Sequence, residues 1–336
     1  MTCRVWTPPS RGDTRPQADK LSHRKLTPRR RVKLAATDGV ECNSYSGRAM
    51  RPEWLKPSDA YGWGAIARNV LPLFLLFCVA PLLAQRHAFA PWLLAPAIGL
   101  FLYRITVVMH DCTHHTLFES RKLNRTMGLL LGAISGVDFN SFRQRHWQHH
   151  ESYGRTGDPQ GFQYLSLKGM SRGELRWHFV KPLLGLNLRD VLAESIVAPE
   201  SVARAFRNGT LWIVVWMQIS ILALVTRAGT HPVLTVLPAL SGATFGLFFS
   251  QLRGIAEHAV VGDNEAYVVR SHVPGTLDRI LLYDVNFNYH AEHHAHPQIP
   301  SCHLPSFHRA AGLPQTMGSM FGTLRAIYDR SNPSHV

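Results

Sequence analysis

Histidine is the residue type in this sequence whose number and spacing could support chemistry. The chain has 336 residues and 19 histidines, and ten of the histidines lie in four short stretches. In the second and fourth stretches they recur at positions i, i+3 and i+4, which lie on one face of a helix. We therefore expect each of these stretches to point its imidazoles the same way. The ten are His110, His114, His115, His146, His149, His150, His258, His290, His293 and His294.

Clustered imidazoles indicate a transition-metal site. The alternative is that these histidines are unrelated to one another and lie separately in the core and on the surface. Neutral imidazole binds iron, copper, zinc and nickel, and ten ligands are too many for one ion, so the pattern indicates a pair. Structural zinc prefers closed sets with cysteine and catalytic zinc needs three protein ligands, whereas the five cysteines here are scattered. We call these stretches histidine boxes, and residues 110–115, 146–150 and 290–294 are the first, second and third box. The boxes therefore favour iron and oxygen chemistry. The acids Asp111, Glu257 and Glu292 are expected to accept the second ring N–H of a ligand histidine, or else to be ordinary solvated carboxylates.

Four charge-free runs of 17 to 25 residues must position these histidines. At about 1.5 Å per residue in a helix, each run with its flanking residues can cross a bilayer core of about 30 Å. A single arginine, Arg86 or Arg227, separates the members of each pair, so the pattern predicts two helical hairpins. Arg68 and Arg104 are expected to reach the lipid headgroups, and the short apolar piece 126–137 to be interfacial or re-entrant. The runs cover residues 69–85, 87–103, 208–226 and 228–252.

Charge predicts the orientation and the domain boundaries. Residues 1–62 carry 13 Lys and Arg, residues 105–207 carry another 13, and each hairpin turn carries one. The positive-inside rule then places both chain ends and every box on the cytoplasmic side, at the inner membrane if the source is bacterial. The expected fold is an all-α integral membrane protein with four transmembrane helices in two hairpins and a cytoplasmic helical cap that carries the metal site. Residues 1–62 are expected to be a basic, disordered arm, 63–310 the membrane domain and 311–336 a cytoplasmic tail.

Composition excludes two classes of protein. The 33 aromatic residues and the long apolar runs exclude disorder of the whole chain. An odd number of scattered cysteines excludes a disulfide-stapled secreted module. The basic arm is expected to lie near anionic lipid headgroups, with nucleic-acid binding as the less favoured alternative. A translation start at Met50 would remove most of this arm.

The boxes resemble those of the membrane fatty acid desaturase family, which also contains lipid hydroxylases and carotenoid ketolases. The resemblance covers roughly residues 60–310 and includes Gly157-Asp158-Pro159 after the second box and the element from Arg253 to His258. It implies a non-haem di-iron centre held by the ten histidines, with His114, His115 or both serving in the first box. It also implies an asparagine that holds a water at one iron, for which Asn286 and Asn288 are the candidates.

The reaction implied by the resemblance is O2-dependent removal of two hydrogens from an alkyl or acyl chain to leave a C=C bond. The sequence contains no nicotinamide fingerprint, iron–sulfur spacing or fused haem domain. Electrons are therefore expected from a separate protein, a ferredoxin first and a b-type cytochrome second, steered by the basic cytoplasmic face. The alternatives are a hydroxylase or ketolase on the same site, a desaturase of a small amphiphile such as dihydrorhizobitoxine, and a histidine-cluster metal transporter.

Overall fold

The secondary structure of the described residues consists of helices. The computed structural model describes residues 50–167, 169–195, 199–227, 231–260, 269–311 and 318–331. Most of the predicted basic arm, residues 1–49, lies outside these ranges. Of the predicted C-terminal tail, residues 312–317 and 332–336 lie outside them, whereas most of the remainder forms a helix.

Fourteen α-helices can be numbered among the described residues. They are α1 Asp59–Arg86, α2 Ala95–His114, α3 Arg121–Ile134, α4 Phe139–Ser152, α5 Arg172–Val180, α6 Leu188–Ser195, α7 Pro199–Arg207, α8 Thr210–Thr226, α9 Pro232–Ser241, α10 Leu247–His258, α11 Thr276–Leu281, α12 His290–Ala295, α13 Leu304–Ala311 and α14 Met320–Arg330. A π-helical segment, Gly242–Gly246, joins α9 to α10 without a break. Helices of the 3-10 type occur at Pro52–Leu55, Ala90–Leu94, Gly161–Gln163, Leu165–Leu167 and Lys181–Leu184.

Three helical stretches are long and apolar enough to cross a membrane: Pro52–Arg86, Ala90–His114 and Pro232–His258. They contain the predicted run 69–85 and most of the runs 87–103 and 228–252. The run 208–226 forms α8, whose 17 apolar residues measure about 26 Å, so its crossing stays a prediction. Two of the long helices continue beyond the charge-free runs and carry box histidines in their last turns. His110, His114 and His258 therefore lie within helices and not beyond their ends.

Helix α2 lies at the centre of the bundle and packs against α1, α3, α9 and the π-helical segment. Its closest approach is at Gly99, where an added Cβ would lie 2.5 Å from the Phe245 Cβ and 2.6 Å from the Ser241 carbonyl oxygen. Only a residue without a side chain allows the two backbones to come this near. This contact sets the position of the first box relative to the helix that ends at His258.

Helix α3 contains most of the apolar piece 126–137 and packs along both α2 and α8. Its buried side includes Gly128 and Gly132, where an added Cβ would overlap the Phe139 ring and the Val137 carbonyl oxygen respectively. The turn after α3 therefore folds back closely on the helix. In this way α3 brings the start of α4, and with it the second box, beside the end of α2.

Arg68 and Arg104 contact a buried carboxylate, and their expected reach to the lipid headgroups stays a prediction. The Nε of Arg68 lies 3.4 Å from Oδ1 of Asp284, and Arg104 pairs with the same oxygen. Asp284 is 4% exposed, and Arg104 also donates to the Ile280 carbonyl oxygen at 3.1 Å. The Asp284 charge offsets the cost of burying the Arg104 guanidinium, whose side chain is 12% exposed. Asp284 thereby ties α1 and α2 to the segment that leads into the third box.

Candidate metal centre

Four helices, α2, α4, α10 and α12, bring nine of the ten predicted histidines into two adjacent groups. We call them the five-histidine group and the four-histidine group. Within each group the candidate ligand atoms all lie within 4.8 Å of one another. The five-histidine group consists of His110, His114, His146, His150 and His293. The four-histidine group consists of His149, His258, His290 and His294.

The second and third boxes each supply both groups. On α4, His146 and His150 join the five-histidine group while His149 joins the other. On α12 the arrangement is reversed, because His293 joins the five-histidine group and its neighbours on that helix join the four-histidine group. The expectation that each box points all its imidazoles one way is thus correct only in part. Helices α4 and α12 lie between the two groups, and the rings of His150 and His294 stack at a centroid distance of 4.2 Å.

The nitrogen spacings fit ligation of one ion by each group. The Nε2 atom of His146 lies 2.8 Å from Nε2 of His114 and 2.9 Å from Nε2 of His150. In the other group, the Nε2 atoms of His258 and His290 are 3.0 Å apart. Two ligands at about 2.1 Å from one ion with a right angle between them would lie about 3 Å apart. These short spacings are therefore the ones a coordination shell produces.

Several ring nitrogens of the grouped histidines are buried and lack a hydrogen-bond partner, whereas buried polar atoms normally have one. They include Nε2 of His149, Nε2 of His293 and both nitrogens of His294, which leaves lone pairs free for a metal. Burial lowers the pKa of the five grouped histidines outside the membrane-spanning segments, so these rings stay neutral and keep a lone pair for a metal. The donor set therefore fits a pair of metal ions. In His114, His146 and His258 the unpartnered nitrogen is Nδ1, on the opposite side of the ring from the Nε2 atom that faces another grouped histidine. The lowered pKa values are those of His146, His150, His290, His293 and His294.

His149 is oriented by a carboxylate outside the boxes. Its Nδ1 lies 2.9 Å from Oδ1 of Asp158, and its Nε2 has no hydrogen-bond partner. The carboxylate also accepts from the Gln160 backbone N–H at 2.8 Å and from the Tyr164 hydroxyl. A carboxylate on one ring nitrogen holds the proton there and leaves the other nitrogen free to bind a metal. Asp158 was not among the predicted site residues, although the Gly-Asp-Pro sequence after the second box marked its position.

Comparison with known proteins identifies the family. The model of the family described as fatty acid desaturase matches residues 87–320, which is more than half of the chain. The chain belongs to this family. It is an oxidoreductase family, and together with the three long apolar helices it indicates a membrane protein.

Curated relatives match parts of this desaturase-family chain. An omega-3 fatty acid desaturase of the endoplasmic reticulum from Vigna radiata var. radiata is 30% identical over 115 residues, 31% of this chain and 30% of the relative. A sphingolipid delta(4)-desaturase/C4-monooxygenase from Rattus norvegicus is 27% identical over 217 residues, 62% and 61% of the two chains. A chloroplastic sn-2 acyl-lipid omega-3 desaturase (ferredoxin) from Arabidopsis thaliana is 26% identical over 107 residues, 32% and 24% of the two chains. The matched region thus spans less than two thirds of each of these relatives.

Glu257 lies beside the four-histidine group of this desaturase-family protein. Its Oε2 is 3.3 Å from Nε2 of His290, and its Oε1 accepts from Nε of Arg253 at 2.7 Å. The contact is with the ring nitrogen that faces His258, whereas the expectation was a contact with the opposite nitrogen. Glu257 and Arg253 therefore place a compensated charge pair directly against the candidate ligand atoms.

The other two predicted acids do not contact a grouped histidine, which corrects their expected role. Asp111 accepts from the Ser301 hydroxyl at 2.5 Å and from Thr116 at 3.5 Å. Glu292 pairs with His308 and accepts from the Ser271 hydroxyl. Asp111 and Glu292 are adjacent in sequence to grouped histidines, and adjacent residues on a helix point about 100° apart. The two carboxylates therefore point away from the groups. They attach the helices that carry the boxes to the segments packed behind them.

His115 belongs to neither group. Helix α2 ends at His114, and His115 caps it in the left-handed conformation with φ of 60°. This change of backbone direction removes its ring from the face shared by His110 and His114. Burial lowers the pKa of His115, and the charges of Arg143 and Arg121 lower it further. The ring therefore lies toward a cluster of arginines.

Both predicted asparagines donate their side-chain amides to backbone carbonyl oxygens. Asn286 donates to the Ser301 carbonyl oxygen at 3.0 Å, and Asn288 donates to the His272 carbonyl oxygen at 3.0 Å. These bonds brace the chain immediately before α12. Their predicted role in holding a water stays a prediction.

Proposed function

We propose that the protein is an O2-dependent desaturase that introduces a C=C bond into an alkyl or acyl chain. The observation that carries this proposal is the pair of adjacent, buried histidine groups that share α4 and α12. Two iron ions would be held, one by His110, His114, His146, His150 and His293, and one by His149, His258, His290 and His294. When bound, such a centre supplies an oxidant derived from O2 that can take hydrogen from an unactivated carbon.

The protein's own residues orient the centre and control its charge. Asp158 holds a proton on Nδ1 of His149 and so directs Nε2 into the four-histidine group. The Arg253 guanidinium offsets the Glu257 carboxylate beside the same group. Phe287 is buried and its ring lies 4.5 Å from His110 and 5.0 Å from His293, which shields the five-histidine group from water. Exclusion of water from a rigid site prevents side reactions with water during the removal of hydrogen from the substrate.

A lipid or lipid-like substrate agrees with the position of the centre at the ends of apolar helices. Two hydrogens of the chain, two external electrons and two protons would reduce O2 to two waters. The printed names of the relatives include fatty acid and sphingolipid desaturases, which supports an acyl or alkyl chain. Electrons would come from a ferredoxin, or second from a b-type cytochrome, and one relative is named as ferredoxin-linked.

Hydroxylation is the second candidate, because a relative is named both desaturase and C4-monooxygenase. One atom of O2 would then be inserted at the carbon that loses hydrogen, and the other would leave as water with the two external electrons and two protons. Lipid and metabolite profiling of a host that expresses the chain with a ferredoxin system, against a His293→Ala control, reports product and reaction type together. We expect a new C=C bond with the native chain only, and about two irons per purified chain. If the native protein forms no product and holds no iron, the proposal is refuted.

We also propose four crossings with both chain ends in the cytoplasm, at the inner membrane of a bacterial host. This arrangement needs α8 to cross together with α1, α2 and the helix from Pro232 to His258. It places the C-terminal ends of α2 and α10, and so both histidine groups, on one side. Reporter fusions after Val336 and within the turn at Arg227 test it. A cytoplasmic signal from the Arg227 fusion would contradict the proposal.

A further inference from the structure

One exposed aromatic side chain touches the five-histidine group. Trp147, on α4, is 38% exposed. Its ring centroid lies 4.8 Å from that of His114 and 5.8 Å from that of His150. The other aromatic rings in contact with grouped histidines, among the described residues, are buried or half-buried. Trp147 is therefore a direct aromatic link from the surface to the candidate ligands.

The surroundings of Trp147 on α4 are polar. The other exposed residues of this helix are Gln144, Gln148 and Glu151. Its phenylalanines are not exposed, because Phe139 is buried and Phe142 is half-buried. By contrast, the exposed apolar residues of α1 and α8 continue along whole helix faces, as lipid contact requires. An aromatic ring alone on a polar face is typical of a contact point for another protein.

The surface beside Trp147 is strongly basic. Helices α3 and α4 carry five basic residues and one acid, Glu151. No ion pair involves Arg121, Arg125 or Arg143 within the described part of the chain, and the first two are exposed. Arg143 lies close to Arg125, whose charge, together with burial, lowers the pKa of the Arg143 guanidinium. The five basic residues are Arg121, Lys122, Arg125, Arg143 and Arg145.

We propose that Trp147 with Arg121, Arg125 and Arg143 forms the docking site of an acidic one-electron carrier protein, with Trp147 as the contact nearest the metal centre. This inference rests on the proposed function. At each encounter the carrier is oxidised by one electron and the centre is reduced by one, and two encounters supply the two electrons that each O2 requires. Electron transfer weakens steeply with distance. A surface ring in contact with His114 and His150 therefore offers the short route that a buried centre otherwise lacks.

Arg121 and Arg143 lie near His115, at the end of the helix whose His114 contacts Trp147. Their positive charge fits an acidic carrier. Complementary charge raises the rate of encounter and orients the partner, and the effect weakens with salt. Carriers of this kind bind through small, transient interfaces. An area built from one ring and three arginines suits such a short-lived complex.

The test uses the iron-loaded full chain in lipid nanodiscs with two probes, a plant-type ferredoxin and a small b-type cytochrome. Binding is measured at low and high salt, and reduction of the centre is followed by stopped flow with each reduced carrier and with dithionite. We expect Arg121→Glu with Arg125→Glu to weaken binding of a carrier at low salt by about tenfold or more. Trp147→Leu should slow reduction by that carrier by a similar factor. Iron content and the rate with dithionite should not change.

Matched controls separate docking from folding. Trp177→Leu removes another exposed tryptophan, on α5, and Arg325→Glu reverses an exposed charge on α14; both should behave like the native protein. A photo-crosslinking residue at position 147 should capture the carrier. Capture of lipid alone, salt-independent binding, failure of both carriers to bind, or native reduction rates in Trp147→Leu would each overturn the inference. Native protein that holds no iron would refute the proposed function, whereas carrier binding is measured independently of it.

Discussion

Replacement of Asp158 by asparagine tests how the four-histidine group is held. In the native protein the Asp158 carboxylate lies 2.9 Å from Nδ1 of His149 and can only accept the ring proton. An asparagine of nearly the same shape can still accept from the Gln160 backbone N–H and contact the Tyr164 hydroxyl. Its NH2 group, however, can donate to Nδ1, which favours the tautomer with the proton on Nε2. That proton would occupy the lone pair aimed into the group.

The expected loss follows from the position of Asp158 behind a ligand. Removal of a group that orients a metal-bound histidine typically costs about 10–100-fold in metal affinity, which corresponds to about 1.4–2.7 kcal/mol. Because His149 belongs to the four-histidine group, we expect the second iron to be lost first while the five-histidine group keeps its ion. Desaturase activity should fall with the occupancy of the second site.

The assay is iron titration of the purified chain in detergent, with bound iron per chain measured by mass spectrometry and folding by circular dichroism. Asp329→Asn is the matched control, since Asp329 is an exposed aspartate on α14, and it should bind iron like the native protein. Tyr164→Phe removes one hydrogen bond to the Asp158 carboxylate but keeps the carboxylate, so its effect should be smaller. If Asp158→Asn binds two irons with native affinity and a native fold, the orienting role is refuted.

Three further substitutions test the arrangement of the site and the bundle. His115→Ala should keep both irons, since His115 lies outside both groups, and an iron count that falls by one would show that it is a ligand. Gly99→Ala should lower the stability of the protein by about 1–3 kcal/mol, seen as a lower melting temperature in detergent, because its Cβ would overlap the facing helix; Gly64→Ala, whose Cβ meets only the flexible end of a side chain at 3.2 Å, should melt normally. Asp284→Ala leaves Arg104, which is 12% exposed, without its anion and should cost about 3 kcal/mol, and an unchanged melting temperature would show that Arg104 finds another partner.

Much of the helical framework could be predicted from the chain because charge-free length is a local property. The ends of the charge-free runs, however, do not mark the ends of the helices. A run of uncharged residues stops at the first charge, whereas a helix continues if that charge finds a partner. Arg104 pairs with Asp284 and Arg253 pairs with Glu257, so α2 and α10 extend through these residues to His114 and His258. The Arg104–Asp284 pair joins segments 180 residues apart and is not visible in the sequence, whereas the Arg253–Glu257 pair lies within one turn of a helix.

The site shows the same division. The spacing of the boxes predicted the nine histidines that the structure brings into two groups, because metal ligation needs particular residue types at helical spacing. The sequence analysis did not predict Asp158 as an orienting group, because Asp158 lies in the loop after the second box. Only the fold of that loop brings its carboxylate to His149. Asp111 and Glu292 stood next to box histidines in sequence. On a helix, however, adjacent residues point about 100° apart, and the structure turns both acids toward Ser301 and His308.

By itself the sequence determined the residue types of the site, the helices that carry them and the family. The tertiary structure alone decided that His114 joins the five-histidine group while His115 does not, and that α4 and α12 divide their histidines between two groups. The physical reason is that helical periodicity sets the direction of a side chain only relative to its own axis. Which imidazoles converge depends on how α2, α4, α10 and α12 pack, and on the left-handed residue that ends α2.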